Sequence, residues 1–585
     1  MSKTMNKLYI GALIYASCIL ASCQKNFLDQ TPNVIISAAD FWKTSNDLKL
    51  YANNYYNTIL PAKSGYFQVG YYGDDADQGS DNMIKSPYNT ALNGETIQPA
   101  SGGSWNWSIL RTVNYFMANY GKVHESWDNV KPYVGETLFF RAWFYFNMMK
   151  NYGALPWINT PLSTSDSVGL FGNRLPRNVI ADSILHDLNR AIEYLPSHVA
   201  GFTGRLDKET AMLFASRVAL YEGTWEKYHA GTDYGVAGQD GTAFLQKAAA
   251  IAGELIANPG GYTLDNMGLQ EGYRQVFNQL DYTGSHEVML WRKFDNSQGI
   301  FNRWYLFVPL ALDRGITKSL VDDYLCTDGL PISISSLYKG DDSLVKVIAN
   351  RDPRLAQTIF TPGKTISTNR PGSQPDVIFY KPDFANSANV PTGYELLKGH
   401  IANAATQVEN STQAMIYFRF AEVLLNYAEA KVELGTLSQS DVDNSINRLR
   451  QRAGMISLQL NNIVNDPAWK FPALSPLINE VRRERRIELA CEGFRHDDIF
   501  RWAAADKLIK NWKPLGARLK QWQTLFTPEV LNKYSTDNNG YIEFFKNIPA
   551  MAVGFQFREN KDYLLPLPAD QLVLNPKLLP NNPGW

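Results

Sequence analysis

The chain has 585 residues, with 56 basic against 57 acidic residues and no long run of either sign, a balance that leaves no electrostatic footprint for DNA, RNA or an anionic lipid surface. Length alone allows about two to four domains. Phe, Trp and Tyr make up 13% of the chain, with 14 Trp and 31 Tyr, enough aromatic surface to fill a large core and still furnish loops with half-wet binding faces.

At the N-terminus Lys3 and Lys7 precede an apolar run from Leu8 to Ala21, the layout of a secretory signal. The run is about 14 residues long, short of the roughly 20 that a bilayer-spanning helix needs. It closes on Leu20-Ala21-Ser22-Cys23, which resembles the bacterial lipobox. Residues 1–22 are therefore expected to be a lipoprotein signal peptide, Cys23 the lipidated first residue of the mature chain, and residues 23–37 a polar tether; residues 23–585 are read as one domain. Acyl chains contribute about 0.8 kcal/mol per buried methylene, so such a protein is held on a bilayer without crossing it. Past Cys23 no apolar stretch approaches the length of a span. Cys326 and Cys491 are the remaining cysteines, and with no C-x-x-C neither a disulfide framework nor a thiolate zinc site is expected.

Helical periodicity predicts helices over 136–152, 207–222, 417–434 and 441–452, stopped by Gly153, Gly223, Gly435 and Gly454. The last two form a pair joined by a short turn, and Ala421, Ala428 and Ala430 permit close packing. Pairs of about 34 residues suggest tetratricopeptide-like hairpins, without the regular period of a continuous solenoid. Stretches rich in Gly, Asn, Asp, Ser and Pro over 62–103, 260–315 and 362–410 lie between them. The expected fold is mainly α: a tetratricopeptide-like helix-hairpin scaffold with large irregular, loop-rich insertions and few short strands. The insertions are where binding residues are sought.

Catalytic patterns are sparse. Asp74, Asp75, Asp77 and Asp81 form a carboxylate cluster of the kind glycoside hydrolysis requires, but in a Gly/Ser/Asn-rich loop such residues more often cap turns. The spacing is not that of an EF-hand, so no calcium site is assigned. No two of the seven histidines lie within five residues of each other, and neither H-E-x-x-H nor G-x-S-x-G occurs. Gly363-Lys364-Thr365 imitates the end of a phosphate loop, but Thr358 stands where its first glycine belongs and Pro362 removes a donor. No enzyme activity, cofactor or metal is expected.

The most specific stretch is INEVRRERRIELACEGFRHDDIFRW, residues 478–502. Its Glu484, Arg485, Arg486, Glu488, Leu489, Glu492, Gly493, Arg495, Asp498, Arg501 and Trp502 resemble the signature of the SusD/RagB family of outer-membrane nutrient-binding lipoproteins. Phe27-Leu28-Asp29, Arg141-Ala142, Arg351-Asp352-Pro353-Arg354, Thr392-Gly393-Tyr394 and the ending Asn582-Pro583-Gly584-Trp585 agree in the same order, with Trp585 replacing the usual Tyr. The resemblance implies a lipid-anchored protein on the outer membrane, facing the cell exterior, that hands cargo to a SusC-like TonB-dependent transporter. Cargo in the family includes starches, fructans, host glycans and peptides. Read on their own, the signature charges look structural: Glu484 and Glu488 lie four apart, as do Arg482 and Arg486, a spacing at which opposite charges form a ladder. Arg–Glu pairs between packed helices, of the common exposed kind, would fix their register.

Sugar rings stack their C–H faces on aromatic planes while their hydroxyls seek amides, carboxylates and guanidinium groups. Two loops have that composition. The first holds Tyr71, Tyr72, Asp81 and Trp105-Asn106-Trp107, and the resemblance points to Trp105 or Trp107 because family sites use an aromatic just before the following helix. In extended backbone both rings would face one way as a platform. The second holds Trp291, Arg292, Lys293, Asn296, Asn302, Trp304 and Tyr305. The candidate ligand-binding set is Trp105, Trp107, Tyr71, Tyr72, Asn106, Trp304, Tyr305, Asn296 and Asp81, for a glycan ligand. The alternatives are a peptide receptor of the same transporter type and a surface glycoside hydrolase.

Overall fold

The structure, a computed structural model, describes residues 41–61, 77–199, 204–302, 314–384, 391–404 and 410–585. Cys23, Tyr71, Tyr72, Asp74, Asp75, Trp304 and Tyr305 lie outside these residues.

Counting helices of seven residues or more, the described chain runs α1 (Ser45–Thr58), α2 (Ser108–Asn119), α3 (Trp127–Tyr152), α4 (Arg177–Tyr194), α5 (Lys208–Tyr228), α6 (Thr242–Ala257), α7 (Phe420–Glu433), α8 (Ile446–Arg452), α9 (Pro476–Glu488) and α10 (Arg495–Arg501). Three of these starts carry a side-chain cap. Thr44 and Asp47 form a capping box on α1, Asp207 accepts from the backbone of Thr210 at the head of α5, and Ser475 caps α9 with Pro476 at its first position.

The helices pack largely in sequence: α3 on α4, α4 on α5, α5 on α6, α6 on α7, and α7 on both α8 and α9, while α1 and α2 cover another side of α3. This is the hairpin scaffold expected from the periodicity. Helix α3 is apolar nearly all round, with Phe139, Phe140, Ala142, Tyr145 and Met149 buried, as a helix enclosed by neighbours must be. A second core, around Ile316, Tyr324, Phe360, Phe384, Tyr394 and Trp522, lies under the irregular half. Strands are few and short: β1 (Met83–Lys85), β2 (Val288–Arg292), β3 (Arg314–Ile316), β4 (Thr365–Ser367), β5 (Val377–Ile378) and β6 (Met415–Arg419), paired antiparallel as β1-β3, β2-β6 and β4-β5. No helix among the described residues is long and apolar enough to cross a membrane.

Gly153, Gly435 and Gly454 follow helix ends with φ of 67°, 69° and 71°, a conformation in which any other residue would be strained. Gly223 departs from expectation, because α5 continues through it to Tyr228. A Cβ there would meet Leu245 at 2.8 Å and the Gly241 carbonyl at 3.1 Å, so Gly223 serves the close approach of α6 rather than a stop. Residues 417–419 belong to β6, not to α7, and the helix expected over 441–452 divides at Ser445, whose φ of −130° and ψ of −91° are not helical.

The charges of α9 do pair with packed neighbours, but in the interior and not at an exposed surface. Glu484 and Glu488 are 1% and 0% exposed, and their partners come from elsewhere in the chain. Arg354 reaches Glu484 at 2.6 Å and Glu488 at 3.0 Å, Arg450 reaches Glu484 at 2.9 Å, and Arg419 and Arg452 also bind Glu488. Spacing within one helix cannot reveal that three other segments bring guanidinium groups to it.

Candidate ligand-binding site

The head of α2 gathers the first candidate residues. Asn106 is exposed, and its Oδ1 accepts from the Ser108 backbone at 2.9 Å, a local turn just ahead of the helix. Trp105 and Trp107 flank it, both half-buried. Trp105 meets Trp107 edge to face at 5.2 Å and 72°, and Tyr152 at 4.9 Å and 88°. Trp107 leans on Phe144 at 5.6 Å and Tyr145 at 6.1 Å. Both indoles are therefore set by α3 and keep part of their surface toward solvent. Burial pushes the Tyr152 phenol up to about 12, so it stays neutral beneath them.

The coplanar platform expected from alternation is not formed. Trp107, with φ of −104° and ψ of 6°, is turning into the helix, so the extended geometry that would align the rings is lost. The arrangement is an L-shaped corner, suited to holding a ring against one face and an edge.

Trp157 extends this aromatic group and was missed in the sequence. It stacks on Tyr145 at 4.1 Å and 28°, with the Arg141 guanidinium 5.9 Å from its centroid. Tyr145 in turn accepts from the Ile158 backbone at 2.6 Å. The available signal was its position just past the Gly153 turn at the end of α3.

Asp81 is not a ligand-binding residue. It is 2% exposed and lies between Arg495 at 2.6 Å and Arg486 at 2.9 Å. Burial alone would raise its carboxyl, but the two guanidinium groups prevail and hold it well below the usual carboxylate range. Asp77 is likewise internal: it accepts from the backbone of Cys491 at 2.7 Å and Gly493 at 3.0 Å, and from the Asn82 amide at 2.8 Å. The described part of the acidic cluster is therefore committed to the fold. Among the described residues no His, Cys, Asp and Glu group is arranged to hold a metal. Cys326 and Cys491 are buried free thiols.

In the second loop Asn296 is exposed, on a turn capped by Asp295. Trp291 belongs to β2 and is 6% exposed, packed on Tyr282 at 5.6 Å. Asn302 is buried, and its amide donates to the Gln413 carbonyl at 3.0 Å. Both are structural. The structure thus unites Trp105, Asn106 and Trp107, and puts Asn296 on a separate turn beyond β2.

Two family models match the chain: "SusD family" over residues 312–585 and "Starch-binding associating with outer membrane" over residues 100–220, together more than half of it. The second includes the Trp105–Trp107 corner. SusD-like protein P2 of Formosa agariphila is 24% identical over 573 residues, covering 95% of this chain and 96% of that protein. Among solved structures, a SusD-like protein from Bacteroides fragilis superposes with a TM-score of 0.70 at 20% identity, covering 94% of this chain and 99% of the other. A SusD-like carbohydrate binding protein from the same species gives 0.68 at 22% identity, covering 92% and 99%. The fold, the buried signature on α9 and α10 and these matches agree: the chain belongs to the SusD/RagB family.

Proposed function

We propose that this chain binds a glycan at the outer surface of an outer membrane and passes it, uncleaved, to a SusC-like TonB-dependent transporter. The observation that carries this reading is the corner formed by Trp105 and Trp107, half-exposed indoles at 5.2 Å with the exposed Asn106 between them. Such a corner offers apolar faces to sugar C–H groups and an amide to their hydroxyls. Family membership and the likeness to a B. fragilis protein described as carbohydrate binding support the same ligand class. Tyr71, Tyr72, Trp304, Tyr305 and Asn296 are proposed as further contacts to the glycan.

Cys23 carries the lipid in this reading, and residues 1–22 are removed as the signal. Lipid at Cys23 keeps the protein on the membrane while the tether lets it move over the transporter.

The test is calorimetry of the purified protein against starch, a fructan, laminarin and a peptide library. A polysaccharide should bind, and Trp105→Ala, Trp107→Ala and Trp304→Ala should each weaken it. Unchanged affinity in all three variants would overturn the site, preferential binding of peptides would overturn the ligand class, and depolymerisation of the bound glycan would overturn the non-enzymatic reading. Mass spectrometry of the native protein checks acylation of Cys23, and co-purification from solubilised membranes checks the transporter.

A further inference from the structure

The C-terminal segment folds back beside the head of α4 and leaves a cleft of about 790 Å³, within the usual range for ligand pockets. Residues 173–179 form one wall, residues 233–239 after α5 a second, and residues 577–583 a third. None of the candidate glycan-binding residues above lines it.

Three independent features make this cleft a place for negative charge. The first is the helix end itself. Helix α4 has 18 residues, begins after Pro176 and has no side-chain cap, so the backbone N–H groups of Arg177, Asn178 and Val179 have no acceptor within the helix. All three residues line the cleft. A helix N-terminus carries roughly half an elementary positive charge.

The second is Arg177. It is 5% exposed, its Nε and Nη2 bind Glu222 at 3.0 and 2.9 Å, and its guanidinium lies 3.7 Å from the centre of the Trp225 ring. Its Nη1 has no hydrogen-bond partner. A buried charged donor left unpaired is costly, so a small shift of the side chain toward an acceptor in the cleft would recover part of that cost.

The third is Arg174, which lines the same wall. Its donors go to the carbonyl oxygens of Tyr152, Ala154 and Pro580, each at 2.9 Å, and to the Asn582 side chain, with no carboxylate among these partners. Burial draws it down to about 10, which leaves it cationic at neutral pH. Lys577 adds a further cation at the rim.

The opposing charges are few. Asp233 lines the cleft, and Glu222 is neutralised by Arg177. Glu226 near Arg177 is pushed up to about 7 by burial and by Glu222, so it carries only part of a charge. The rest of the lining includes Asn173 and Gln239, both exposed, with Val236 and Ala237, a mixture that accommodates hydroxyls and ring C–H groups better than a compact phosphate.

We propose that this cleft is a second binding site, which takes the carboxylate or sulfate group of an acidic sugar through the head of α4 with Arg177 and Arg174. It rests on the glycan reading given above and extends it to charged glycans.

The informative variant is Val179→Asp, at an exposed first-turn position on the cleft wall. An acidic residue in the first turn of a helix is stabilising, so the variant keeps the fold while setting a negative charge beside the place of the anion. Calorimetry on the full chain uses trigalacturonate, a sulfated galactotriose, neutral galactotriose and inorganic sulfate. Wild type should bind at least one acidic trisaccharide at least tenfold more tightly than the neutral one, with an advantage that shrinks as salt rises. Val179→Asp should remove that advantage, and Arg177→Lys should weaken it, while binding of neutral glycan at the Trp107 corner stays unchanged. The two acidic trisaccharides separate carboxylate from sulfate. Equal affinity of Val179→Asp and wild type for the acidic sugars overturns the cleft and leaves the Trp105–Trp107 reading standing. Binding of inorganic sulfate with no oligosaccharide bound in either place overturns the glycan reading and this ligand with it. Displacement of sulfate by an acidic peptide but by no sugar does the same for the ligand class.

Discussion

Arg419 and Glu492 meet in a two-point ion pair, Nε to Oε2 at 2.7 Å and Nη2 to Oε1 at 2.6 Å, with 2% and 1% of their surfaces exposed. Arg419 is the last residue of β6 and the N-cap of α7, and Glu492 lies in the turn after α9. Its Nη1 also reaches Glu287 at 2.9 Å and Glu488 at 2.8 Å, so one guanidinium ties the scaffold to the segment before β2. Burial alone would raise the carboxyl of Glu488, but Arg452, Arg419 and Arg354 hold it well below the usual range.

Arg419→Met is expected to destabilise the protein by about 3–5 kcal/mol, because it strands buried carboxylates rather than removing a pair. Urea unfolding followed by circular dichroism measures it, and a loss under 1 kcal/mol would refute the keystone role. The sign with pH follows from the depressed carboxyls. Their contribution is complete above the unfolded value of about 4.3 and is lost as pH falls toward their folded values, so the gap between wild type and variant should narrow in acid.

Gly223→Ala should destabilise the protein by about 1–3 kcal/mol, although alanine is the better helix former by about 1 kcal/mol. The added Cβ would sit 2.8 Å from both the Leu245 backbone nitrogen and its Cγ. Thermal melts decide the sign. A rise in Tm would mean that α6 can move away without loss.

The helical half was legible in the sequence because burial on one stripe and a glycine at the end leave marks at fixed spacing, as in α3 and α7. The errors arise where tertiary contacts override local pattern. Gly223 looked like a stop because the neighbour that requires it, Leu245, is 22 residues away. Asp81 looked like a loop carboxylate because its partners, Arg486 and Arg495, lie some 400 residues on. Trp105 and Trp107 were found from composition and resemblance, but their edge-to-face geometry depends on Phe144, Tyr145 and Tyr152 of α3, which no local spacing encodes.

Trp107→Ala should weaken glycan binding by at least about 2 kcal/mol, or roughly thirtyfold, the range of an aromatic anchor at the centre of a contact. Trp107 also packs on α3, so Trp107→Phe is the control: it keeps a ring against Phe144 and should recover part of the affinity. Calorimetry with far-ultraviolet dichroism separates lost binding from lost fold. Full affinity in a folded Trp107→Ala protein would remove the corner from the site.

Glu395 offers a test of buried charge in the opposite direction. It is 4% exposed, and burial, with some help from the charge of Asp383, pushes its carboxyl up to about 8 against the opposing hydrogen bond from the Asp383 backbone. A carboxyl raised on folding contributes stability below its unfolded value near 4.3, and that contribution is lost as pH rises toward its folded value. Across that window this one group lowers stability by on the order of 1 kcal/mol per pH unit. The buried His229 and His400, drawn down to about 3 and about 4, act the other way, since folding must keep them neutral below the unfolded histidine value of about 6.5. Absolute stability curves mix these effects, whereas the difference between wild type and Glu395→Gln cancels the histidines. Calorimetric melts should show little difference between the two proteins near pH 5 and a clear advantage for Glu395→Gln at pH 8. An advantage of equal size at both values would mean that the side chain matters through packing and that its proton does not.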